Sequence, residues 1–245
     1  MKTKKIALVT GAAGTMGKAV TEMFLQDNID VVMVDVNREA VLRCADELGT
    51  GAHPYVIDIS DPRQVEESVQ RIRKEIGTID ILVNNAGILS NNKAMETTPE
   101  EWNRVLSVNL NGAFYMSKAI LPGMREKKWG RIINTSSYSA KSGGVTSGIA
   151  YSVSKGGMVT LTFSLAVETL KDGITVNGIA PAWVKTPMVT EQLTAEQRRK
   201  LLETIPVGRF CEPEEFAHVV QFLASEKSGF ITGEIIDLNG GIHFD

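Results

Sequence analysis

The chain has 245 residues, 43% of them hydrophobic and 22% charged, with a formal net charge of −3. That length and balance suit one open α/β domain and exclude disordered and fibrous classes, and the slightly acidic charge argues against a nucleic-acid partner. Two separated cysteines (Cys44, Cys211), three histidines without metal-ligand spacing (His53, His218, His243) and no apolar run of about 18 residues predict a cytoplasmic protein with no disulfide framework, no metal and no membrane segment.

Short β-branched runs alternate with helical patterns throughout. A strand over residues 6–9 leads into glycines and a helix over 16–26; a strand at 31–34 precedes a helix through Val41 and Leu48. The third strand is expected at 55–57, followed by a helix capped by Asp61 with Pro62 in its first turn. The fourth strand spans 79–83. Thr98-Pro99-Glu100-Glu101 reads as a capping box opening one long helix through Trp102, Val105, Val108 and Phe114. A strand at 131–134, a Ser/Gly-rich loop at 136–148 and a helix at 150–170 follow. Then come a strand at 174–176, a second capping box from Thr194 to Gln197, a helix at 212–223 and a strand at 234–238. Seven strands alternating with helices predict a Rossmann-like, doubly wound, mostly parallel sheet with helices on both faces. Residues 1–245 form one domain whose chemistry lies in loops after strands.

The first strand ends in Thr10-Gly11-Ala12-Ala13-Gly14-Thr15-Met16-Gly17, a glycine turn opening a helix. Such a turn lets backbone N–H groups approach a pyrophosphate. Asp35 ends the second strand 18 residues past Gly17, near the spacing of a ribose-binding acid. A carboxylate there accepts ribose hydroxyls and repels a 2′-phosphate, which predicts NAD. Arg38, just beyond, is a residue type that can hold a 2′-phosphate. Tyr151 and Lys155 are four apart on a helix and share a face. An ammonium beside a phenol lowers its pKa toward that of a working general acid/base.

With Asn84-Asn85-Ala86-Gly87 after the fourth strand, Asn109 in the long helix, Ser137 after the fifth strand and Asn239-Gly240-Gly241 near the end, the chain resembles the short-chain dehydrogenase/reductase family over essentially its whole length. The resemblance implies hydride transfer between a secondary alcohol and nicotinamide, with Tyr151 as proton-transfer group. Lys155 binds the nicotinamide ribose, Ser137 meets the substrate oxygen, and Asn109 holds a water behind Lys155. It further implies Gly11, Thr15, Met16 and Gly17 at the phosphates, Asp58 and Ile59 at adenine, Asn85, Ala86 and Gly87 beside the ribose, and a cofactor-binding loop from Pro181 to Thr186 in which Val184 and Thr186 meet the carboxamide. A homo-oligomer, a tetramer above all, is the assembly it implies.

Three departures from the family pattern stand out. Thr15 replaces a glycine, Ala182 follows Pro181 where glycine is usual, and Ser137 lies 14 residues before Tyr151, one more than is common. The last leaves Ser136 and Ser139 as alternatives to Ser137. The candidate pocket loops contain Asn91, Asn92, Lys93, Ser139, Lys141 and Ser142, with Trp183 as a wall. Their polarity predicts a small polar or anionic hydroxy compound such as a polyol or sugar acid. The alternatives are a 3-oxoacyl-carrier-protein reductase and, in another class, a non-catalytic NAD-binding sensor.

Overall fold

The computed structural model describes residues 4–145, 147–187 and 194–244. Its strands are β1 (Ile6–Thr10), β2 (Asp30–Asp35), β3 (Ala52–Val56), β4 (Ile81–Asn84), β5 (Gly130–Thr135), β6 (Ile174–Pro181) and β7 (Ile235–Leu238). They form one sheet in the order β3-β2-β1-β4-β5-β6-β7, with every pairing parallel. Parallel strands need crossovers, and the crossovers cover both faces. Hence β4, β5 and β6 are buried at every position rather than alternating. Phe24, Val41, Phe216 and Leu223 pack on one face. Val65, Ile72, Met116, Met124 and Leu165 pack on the other.

The helices are α1 (Thr15–Gln26), α2 (Arg38–Leu48), α3 (Pro62–Glu75), α4 (Pro99–Leu106), α5 (Gly112–Lys127), α6 (Ser139–Ser142), α7 (Ile149–Thr169), α8 (Ala195–Leu202) and α9 (Pro213–Ala224). Asp61 caps α3 by accepting from the N–H groups of Arg63 and Gln64, and Thr194–Gln197 forms the expected box at α8. The Thr98 box forms only by half. Thr98 accepts from the Glu101 N–H, whereas the Glu101 carboxylate holds Ser90 Oγ at 2.6 Å and Asn92 Nδ2 at 2.7 Å.

Three expected elements differ. β3 runs from residue 52 to 56, earlier than expected; it starts after the left-handed Gly49 and Gly51 and tolerates Pro54 because it is an edge strand paired only with β2. β6 continues to Pro181, since Asn177 and Gly178 interrupt the apolar run without ending the strand. At Gly178 a Cβ would lie 2.5 Å from Ile235 Cδ1 of β7, so the neighbouring strand's side chain occupies that space. The long helix carries a π-helical segment, Ser107–Asn111, between α4 and α5. Such insertions recur at functional sites.

The strand order reverses between β1 and β4, and the carboxyl ends there open the crevice where ligands bind in such sheets. Thr10 fastens the two sides. Its Oγ1 accepts from the N–H groups of Asn85 and Ala86, each at 3.0 Å, and Asn85 Nδ2 donates to Thr10 O at 3.1 Å. Thr10→Val keeps the shape but orphans both N–H groups, at about 1–3 kcal/mol each. Urea unfolding should register that loss, with Thr10→Ser restoring most of it.

Candidate active site

Gly11 has φ of +64°, and a Cβ there would lie 2.9 Å from Ala86 Cα. A Cβ on Gly17 would lie 2.2 Å from Gly11 O, so the first turn of α1 presses directly on the glycine loop. Thr15 and Met16 open that helix. Its N-cap, Gly14, offers no side chain, and its first turn holds no acid. Backbone N–H groups there suit an anion. Asp35 faces the same loop: Oδ2 accepts from Ala13 N at 3.1 Å and Oδ1 from Asn37 N at 3.0 Å. Arg38 begins α2 and is exposed. These residues fit a nicotinamide dinucleotide, with the α1 terminus for the pyrophosphate and Asp35 for the adenosine ribose.

Other expected cofactor contacts divide. Asp58 is exposed, and its Oδ1 accepts from Ser60 N at 2.9 Å and Ser60 Oγ at 2.7 Å. Ile59 is buried, and its Cδ1 lies 2.7 Å from where a Gly112 Cβ would be, which ties it to α5. Asn85 and Ala86 belong to the Thr10 clamp. At Gly87 a Cβ would lie 3.3 Å from Asn109 Oδ1 and 3.5 Å from Lys155 Nζ, so glycine keeps the space between them open. Pro181, Val184 and Thr186 line the central cavity, and Val184 is also bridged to Cys211.

That cavity, of about 220 Å³, is lined by Ser137, Ser139, Tyr151 and Lys155 among others. The Lys155 ammonium donates to Thr135 O at 2.7 Å and lies 5.7 Å from the Tyr151 ring centroid. Burial pushes the Lys155 pKa down to about 8. Burial pushes Tyr151 up, and a hydrogen bond with Ser137 works in the opposite direction. Ser137, Tyr151 and Lys155 thus face one cavity, with the ammonium held by Thr135.

Asn109 sits in the π-helical segment and is fully buried. Its Oδ1 accepts from Ile88 N at 2.8 Å; its Nδ2 donates to Ile88 O and Ser154 Oγ, each at 3.0 Å. The side chain thus pins the turn after β4 to α7 next to Lys155. Ser154 was not anticipated, although it lies one residue before Lys155 and on the face that turns inward.

Among the serines, Ser136 Oγ donates to Lys155 O at 2.8 Å and is committed to α7. Ser137 Oγ accepts from Ser139 N at 3.1 Å, and Ser139 Oγ accepts from Ser147 Oγ at 2.9 Å. Ser137 lines the cavity together with Tyr151 and offsets part of the upward push on the phenol.

The structure does not bring Lys141 to the cavity wall. Its ammonium pairs with Asp237 of β7 at 2.7 Å, both side chains being largely buried. Lys93 donates to the carbonyls of Gly144 and Ser147 at 2.7 and 2.6 Å, and Asn92 is held by Glu101. Asn91 and Ser139 do line the cavity, but with Lys93, Lys141 and Asn92 held by other groups of the protein, Ile88, Leu89, Pro181, Ala182, Trp183 and Val184 make much of the rest. The wall is thus more apolar than the loop composition implied. Ile88 and Leu89 directly follow Gly87, a signal that sequence reasoning passed over. Among the described residues no group of three or more His, Cys, Asp or Glu gathers as a metal site, and no helix is long and apolar enough to cross a membrane.

An unfolded lysine titrates near 10.4, well above the folded Lys155. Below about pH 8 the folded protein therefore carries the full cost of the buried charge, and that cost fades as pH rises toward 10. At pH 7, Lys155→Met should unfold at a higher urea midpoint than the parent, and the gap should close in alkaline buffer.

The comparisons with known proteins agree with this geometry. A family profile described as Enoyl-(Acyl carrier protein) reductase matches residues 11–243. The 3-oxoacyl-[acyl-carrier-protein] reductase FabG of Thermotoga maritima is 38% identical over 243 residues, covering 97% of each chain. That of Escherichia coli K12 is 38% identical over 240 residues, 98% of this chain and 97% of the other. The crystal structure of a 3-ketoacyl-(acyl-carrier-protein) reductase from Brucella melitensis complexed with NADH superposes with a TM-score of 0.91, at 32% identity and 98% coverage of both chains. The chain belongs to the short-chain dehydrogenase/reductase family and is an oxidoreductase of alcohol and keto groups that uses a nicotinamide dinucleotide.

Proposed function

We propose that this enzyme reduces 3-oxoacyl thioesters carried on an acyl carrier protein, with NADH as the coenzyme. The observation that carries this reading is the cavity wall: Ile88, Leu89 and Trp183 stand near the Tyr151–Ser137 pair, while Lys93, Lys141 and Asn92 are engaged elsewhere. An apolar wall suits an acyl chain better than a polyol or sugar acid. The FabG relatives named above carry the same activity in their names.

When bound, the reduced nicotinamide supplies the hydride. The chain supplies the rest. Ser137 Oγ orients the keto oxygen by a hydrogen bond, and the Tyr151 phenol, next to it, donates the proton. Lys155, held by Thr135 O, places positive charge beside the site as the phenol loses its proton and binds the nicotinamide ribose. Asn109 keeps the Gly87–Ile88 turn clear of that ammonium and, as in the family pattern, holds a water behind it. Asp35 selects NADH by accepting ribose hydroxyls, where a 2′-phosphate would meet a carboxylate.

Exposed apolar residues on α7, at its end and after α9, among them Phe163, Val167, Leu170 and Phe230, support self-association, with a homo-tetramer as the expected state.

The parent should reduce acetoacetyl thioester with NADH in preference to NADPH. Asp35→Ser should narrow that preference. Tyr151→Phe should lose about 10²–10⁴ in kcat. Oxidation of polyols or hydroxy acids without any thioester reduction would contradict the substrate assignment.

A further inference from the structure

A second chamber, of about 170 Å³, lies beside the catalytic cavity. Trp183 lines both. The backbone of Trp183 is fixed: its carbonyl accepts from Cys211 N at 2.9 Å, and Lys185 N donates to Cys211 O at 2.8 Å. Next to it, Ala182 N donates to Leu238 O at 3.0 Å at the end of β7. The indole therefore stands on a braced segment between two spaces.

The chamber's other walls include Ile205, Val207 and Leu238. Ile205 is buried. Gly240, with φ of +64°, carries no Cβ, which would otherwise lie 2.9 Å from Ile205 Cγ2. Arg209 and Glu215 also line it, and they bond each other twice, at 2.6 and 2.7 Å. That pairing holds the Glu215 carboxyl down at about 2. The two charges answer each other, so the chamber offers no unmatched charge to an ionic ligand and an apolar surface to an aliphatic one.

We propose, on the basis of the thioester reading above, that the Trp183 indole limits the length of 3-oxoacyl chain admitted, and that the chamber behind it takes the distal methylenes of longer chains once the indole is out of the way. Trp183 is shared by both linings, so removing its indole is expected to join the two spaces. Each additional methylene buried is then worth roughly fourfold in binding, from the transfer free energy of a buried methylene.

The test compares acetoacetyl and 3-oxooctanoyl thioesters of N-acetylcysteamine with the parent, Trp183→Ala, and Trp183→Ala/Val207→Phe. Trp183→Ala should raise the ratio of kcat/KM for the longer over the shorter substrate by at least about tenfold. Val207→Phe, which refills the chamber, should return the ratio toward the parent's. An unchanged ratio, or a gain that survives Val207→Phe, overturns the subsite. If the parent reduces neither thioester, the substrate reading fails by itself. Calorimetric titration with 1-octanol then decides the chamber: binding gained in Trp183→Ala and lost in the double variant supports it, and equal heats in all three proteins overturn it.

Discussion

A buried ammonium is the constraint around which this site is organised. Lys155 is 3% exposed, and its charge is answered by Thr135 O at the end of β5. A charge in that position needs a hydrogen-bond acceptor and a nearby polar shell, or it is lost to neutralisation. The surrounding residues supply both. Gly87 leaves room beside the ammonium, Asn109 holds the turn carrying it, and Ser136 ties the serine loop to the Lys155 carbonyl. The π-helical segment places Asn109 where it reaches Ile88 and Ser154 at once.

The sheet order explains why these pieces meet. Reversal between β1 and β4 puts the glycine turn, the Asn85 turn and the serine loop along one edge of carboxyl ends. Thr10 and Asn85 lock the first two together, so the α1 terminus and the Lys155 neighbourhood are held by one frame. The glycine turn and the Asn85 turn are thus joined by side-chain-to-backbone hydrogen bonds.

Much of this was legible in the sequence, for a physical reason. The glycine turn, Asp35 and the Tyr151–Lys155 pair depend on local backbone geometry and on a fixed offset along one helix, while Ser137 rests on the family resemblance. The doubly wound sheet followed from alternating periodicity in the same way. What stayed hidden depends on tertiary partners. Lys141 read as a pocket residue until Asp237, 96 residues away, claimed it. Lys93 and Asn92 looked free, yet two carbonyls and Glu101 hold them. The polarity of a loop is thus a poor guide to the polarity of the wall it builds. β3 was misplaced because Pro54 is acceptable only on an edge strand, and edge position is a property of the whole sheet. The π-helical segment leaves no periodic signal, since it spans only Ser107–Asn111.

The central claim is that carbonyl reduction draws its proton from Tyr151 in a site charged by Lys155. The most direct measurement is the pH dependence of kcat for acetoacetyl thioester reduction under saturating NADH. Reduction requires the protonated phenol and the charged lysine, whose pKa lies at about 8. The account predicts a rate that falls as pH rises past that value, with that fall abolished in Lys155→Met. A rate flat from about pH 6 to about pH 10, across the range in which Lys155 titrates, would contradict it.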